Sequence, residues 1–114
     1  MSLSSGMAVA EPQGGTPIAE MDDHYAIASE HFGQGRVQIH SRQAGAEGDT
    51  HRVHEIDCIE QTFKTVFEGD AAPDRFPVAA QPDAMERLRR ESGQLPIARH
   101  VCDQHGFPIA ELRW

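Results

Sequence analysis

Residues 50–69 read THRVHEIDCIEQTFKTVFEG, and the period assigned to them decides the fold. Val53, Ile56, Ile59, Phe63, Val66 and Phe67 recur at spacings of three and four. Turned through 100° per residue, all six fall within an arc of roughly a hundred degrees, the apolar stripe of an amphipathic helix. A strand fails on the same residues, because Val53 and Ile56 would face opposite sides of a sheet. Asp49 or Thr50 is placed to cap the N-terminus, and Gly69 stands where a helix stops. The stretch predicts a helix.

Upstream, Val37, Ile39 and Ser41 alternate with Arg36, Gln38, His40 and Arg42, a period of two that fits a strand with one wet face. Residues 25–32 precede it across Gly33-Gln34-Gly35, so the pair reads as a hairpin; a short helix over residues 22–32 is the competitor. Residues 43–49 form a loop rich in Gly and Ala. Downstream, Pro73, Pro77 and Pro82 exclude a continuous helix, and residues 75–80 suit a short edge strand. A second helix is expected over residues 84–92, begun by Asp83 and ended by Gly93, with Met85, Leu88 and Arg89 along its buried stripe. Residues 95–114 read as a second hairpin, with Ile97, Val101, Phe107 and Ile109 as its apolar residues and Asp103-Gln104-His105-Gly106 as its turn. The expected order is β-β-α-β-α-β-β. That is an α+β domain, an antiparallel sheet from two hairpins with two helices packed on one face. Residues 1–17 carry two prolines and Gly14-Gly15 with no periodic apolar pattern, and read as a disordered tail before a single domain over 18–114.

The composition limits what such a domain can be. The chain has 114 residues and a formal net charge of −8. Leu, Ile, Val and Phe together supply 22 residues, close to the level at which strongly charged chains stop folding. A large enzyme and a multidomain protein are excluded by length. The acidic surplus argues against nucleic acid and against anionic membrane surfaces. Arg87, Arg89 and Arg90 form a basic cluster, but Glu86 and Glu91 flank it, so it reads as a solvated face. No apolar run approaches the ~20 residues that cross a bilayer, and the first residues lack the basic and apolar regions of an export signal. Cys58 and Cys102 are too few for a disulfide framework, so both are expected as free thiols in a reducing cytoplasm.

Seven histidines are the chain's most unusual feature. His54, Cys58, Cys102 and His105 would together offer two thiolates and two imidazoles, a set that tetrahedral zinc accepts. On the expected helix, however, His51, His54 and Cys58 share a face nearly opposite Ile56, Phe63 and Phe67, away from a sheet-packed hairpin. A Cys–His nucleophile is disfavoured by the acidic neighbours of Cys58. Gly33 and Gly35 lack the third glycine of a nucleotide loop, and His54-Glu55 lacks the second histidine of a metalloprotease helix. The leading expectation is therefore a non-catalytic protein-interaction or regulatory module without a cofactor, acting as a homodimer or on a protein partner. Its anchors would be Phe107, Ile109, Leu112 and Trp114 of the C-terminal strand. A zinc protein using the four Cys and His residues is the alternative.

Overall fold

A computed structural model describes residues 15–113. Six strands form one antiparallel sheet in which every strand pairs with its neighbours in the sequence. They are β1 (Thr16–Pro17), β2 (His24–Gly33), β3 (Arg36–Gln43), β4 (Thr50–Asp57), β5 (Thr62–Gly69) and β6 (Glu86–Arg87), followed by a single helix α1 (Leu95–Gln104). The four long strands make the body; β1 and β6 pair over two residues each at the two edges.

The β2–β3 hairpin lies where its alternation placed it. Gly33 pairs with Arg36, and both loop residues, Gln34 and Gly35, have positive φ, as the tight turn that suits strand twist requires. The residues expected as the first helix are the second hairpin, β4 and β5. Three features of that hairpin produce the false helical period. Both faces of β4 are buried, so Val53 and Ile56 are each fully covered on opposite sides and the one-wet-face alternation disappears. Residues 58–61 form the turn, with the Asp57 carboxylate accepting from the Ile59 and Glu60 N–H groups, and this inserts four residues between the strands. Val66 is bulged out: Val53 pairs with Phe67 while His54 pairs with Thr65.

The second expected helix is absent as well. Residues 82–84 make one 3-10 turn, Glu86 and Arg87 pair with Phe63 and Thr62, and Leu88 N–H donates to the Gln61 carbonyl. Residues 75–80 are not a strand; they have no regular secondary structure, and Pro77 and Ala80 hydrogen-bond to side chains of the sheet. The expected C-terminal hairpin is replaced by α1. Leu95, Ile97, Ala98, Val101 and Cys102 form its buried stripe, and Gly106 at φ +88° ends it. There the Phe107 N–H bonds back to the Cys102 carbonyl and the Gly106 N–H to that of Asp103, a Schellman stop. Among the described residues the fold is thus a six-stranded antiparallel sheet with one helix and one 3-10 turn, not a two-helix α+β arrangement.

Register divides the sheet into two unlike faces. Val37, Ile56 and Phe63 stand side by side on the face that packs against α1, joined by Ile39, Leu88 and Ile18 in one apolar cluster. The opposite face carries Arg36, Gln38, His40, Val53 and Glu55, and the Pro-rich strap of residues 73–81 lies over part of it. Of the tail expected over residues 1–17, the first fourteen lie outside the described residues, while Thr16 and Pro17 pair with Ala26 and Tyr25.

Candidate functional site

The four residues nominated for zinc do not form a site. Cys58, in the β4–β5 turn, and Cys102, in α1, are joined in a disulfide, so neither is the free thiol the sequence suggested and neither is a thiolate ligand. His54 projects from β4 on the helix-packed face and is almost wholly buried. Burial lowers its pKa to about 4, and the Arg52 guanidinium pushes in the same direction. His105 caps the end of α1 and contacts Ser29 instead. Among the described residues no group of three or more His, Cys, Asp or Glu could hold a metal ion, which removes the zinc alternative.

The expected interface anchors also fall elsewhere. Ile109 is buried in the apolar cluster, and Phe107 and Leu112 are partly buried against it, all on irregular backbone rather than a strand. Trp114 lies outside the described residues.

A different constellation lies beneath the strap. Glu55, the sixth of the eight residues of β4, has no exposure to water, and its carboxylate accepts from three donors. These are the Arg36 guanidinium, the Gln38 amide at 3.0 Å and the Ala80 N–H at 2.9 Å. The Arg36 and Gln38 side chains also donate outward to the strap, to the Ala80 carbonyl at 3.1 Å and the Pro77 carbonyl at 3.2 Å. The buried carboxylate thus ties strap to sheet through charge-assisted bonds. Both acceptors of Gln38 are oxygens, so its amide nitrogen must face them. Its Oε1 is left buried without a partner among the described residues.

Two hollows open between the strap and the outer part of the sheet, with Phe76 lining both. One, of about 300 Å³, is lined by Glu30, Phe32, Gln38, Phe76, Pro77 and Ala79. The other, of about 250 Å³, is lined by Ala28, His40, Pro73, Asp74, Arg75 and Phe76. His40 is hydrogen-bonded to His51 at 2.8 Å, and its pKa is lowered, first by burial and then by the His51 charge. Sequence reading singled out neither Glu55 nor Phe76 for a site. The signal that was present is the set of long polar side chains, Arg36, Gln38 and His40, on the strand face assigned to water.

On the helix side a cleft of about 570 Å³ separates α1 from β1, lined by Thr16, Glu20, Arg99, His100 and Asp103 among others. Nearby, Ser29 Oγ lies 2.8 Å from His105 Nε2 and 3.3 Å from Gln104 Oε1. The distance suits a nucleophile and its base, but the pair stands at the C-terminal end of α1. Carbonyl oxygens face outward there, the wrong polarity for a developing oxyanion. The contact clips β2 to the helix. Among the described residues no helix is long and apolar enough to cross a membrane. Comparison of the chain with protein-family models, with curated proteins and with solved structures found no match to any of them.

Proposed function

We propose that this chain is a non-catalytic protein-interaction module that acts as a homodimer, paired through the outer edge of β2. The observation that carries this reading is the mismatch in length between β2 and its outer neighbour. β2 spans ten residues, and β1 pairs with only Tyr25 and Ala26 of them. Among the described residues, no strand pairs with 27–33 on their outer side, and this edge is regular between the bulges beside Ile27 and Phe32. Phe32 stands exposed at its end. An unpaired edge of this kind is a template for a second strand, and a two-fold axis allows two copies to satisfy each other. The opposite edge is less suited, because the Val66 bulge and the charges of Lys64 and Glu68 interrupt β5. Burial between subunits would also supplement a small core.

The disulfide supports an oxidising working environment rather than the reducing cytoplasm, which rested on free thiols. The dimer is tested by sedimentation across a range of concentrations together with hydrogen exchange of the β2 amides. A dimer is expected, with protection of residues 28–31 rising with concentration. A monomer throughout, or a dimer whose β2 amides exchange as fast as in dilute protein, overturns the reading.

A further inference from the structure

We propose that the hollow between β2, β3 and the strap is a binding site for an organic ammonium group on a short alkyl chain. The hydrogen-bonding groups of the hollow set the class of ligand it can hold. Its lining side chains are Glu30, Phe32, Gln38, Phe76, Pro77 and Ala79. The Gln38 nitrogen is the only side-chain donor in that set, and it is already committed to Glu55 and Pro77. What remains facing the hollow is a carboxylate and two aromatic rings. Every one of these favours a ligand that donates hydrogen bonds and carries positive charge. An anion would meet the Glu30 carboxylate, and no side chain of the lining has a donor left for it.

Phe32 already shows the preference, for the Arg36 guanidinium lies 5.8 Å from its ring centre. That cation does not oppose a second one, because the buried Glu55 carboxylate neutralises it. The net charge of −8 draws cations towards the surface. A volume of about 300 Å³ is at the small end for ligand sites and fits a single alkylammonium arm. That arm is either a free amine or the lysine side chain of a partner.

The test uses the full chain, isotope-labelled, titrated separately with n-butylammonium, with 1-butanol as the neutral isostere and with a lysine blocked at both backbone ends. n-Butylammonium is expected to give saturable shifts confined to the Gln38 side-chain amide and to residues 76–79, and 1-butanol none. Glu30→Gln, at an exposed position, is expected to weaken binding about fivefold. Glu47→Gln, in the exposed β3–β4 loop, removes the same charge elsewhere and should leave binding unchanged. Tighter binding of the blocked lysine than of n-butylammonium assigns the site to a protein partner, and the reverse order to free amines. Equal shifts from amine and alcohol, shifts without saturation, or equal loss in the two Glu variants overturns the proposal.

Discussion

Cys58, in the turn that joins β4 to β5, and Cys102, in the last position of the buried stripe of α1, are bonded to each other across 44 residues of chain. Both lie in the apolar cluster, so the bond ties the only helix among the described residues to the sheet it packs on. A cross-link of this span removes denatured-chain entropy equivalent to about 3–4 kcal/mol. Cys58→Ala with Cys102→Ala is expected to lower the melting temperature by about 15 °C for a domain of this size. Thiol titration of the unreduced, denatured chain should detect no free thiol. Two titratable thiols, or a double variant that melts with the parent, would show that the bond does not form or does not stabilise.

The Glu55 carboxylate has a distinct expectation because it has no water to fall back on. Glu55→Ala leaves the Arg36 guanidinium and the Ala80 N–H facing a void, and an uncompensated buried charge costs about 3–5 kcal/mol. Replacing Arg36 by Met in the same chain removes that charge, so the double variant should recover part of the loss. Urea denaturation of the two single variants and the double one completes the cycle. Additive losses would mean that the strap is not held through this pair.

How far these features can be read from the sequence follows from whether the two faces of each element differ in polarity. The strand over residues 36–42 is legible, since its apolar residues take one face and its polar ones the other. β4 is not, because Val53 and Glu55 are as buried as Ile56 and the alternation carries no information about water. The turn at residues 58–61 and the Val66 bulge then bring the surviving apolar residues into a helical spacing by coincidence. In α1 the information was present: Ile97, Ala98, Val101 and Cys102 keep a helical period behind Pro96, and Gly106 marks the stop. Asp103-Gln104-His105-Gly106 has the composition of a hairpin turn and of a Schellman stop alike, and local chemistry does not separate them. Glu55 is illegible for another reason. Its burial depends on donors 17 and 25 residues away.

Acid should weaken the fold through His54. Its pKa in the folded chain, about 4, lies below the ordinary value of about 6.5, so the unfolded chain binds the proton more tightly. The associated stability is complete above about pH 6.5 and is lost as pH falls towards 4, amounting to about 3 kcal/mol across that window. His40, also lowered, adds in the same direction. The groups that act on the His54 charge are Arg52 and His24, which disfavour it, and Glu68, which favours it. His54→Leu removes the titration, so its stability relative to the parent should rise by about 3 kcal/mol between pH 7 and pH 4. Parallel stability curves for the two proteins would exclude His54 as the source.

Gly35 separates two constraints that usually occur together. Its φ of +77° belongs to the tight β2–β3 turn, and a Cβ built there would lie 2.7 Å from Cδ1 of Ile59. The Ile59 side chain is half exposed at the neighbouring turn and can swing away, so the contact alone is inexpensive. The backbone cannot adjust, because the hairpin register depends on positive φ at both loop residues. Gly35→Ala is therefore expected to cost about 1 kcal/mol, with Gly35→Asn, which tolerates this conformation better, costing less. If Gly35→Ala regains its full stability when Ile59 is also replaced by Ala, the contact rather than the turn sets the requirement for glycine. An unchanged loss in that double variant assigns it to the backbone.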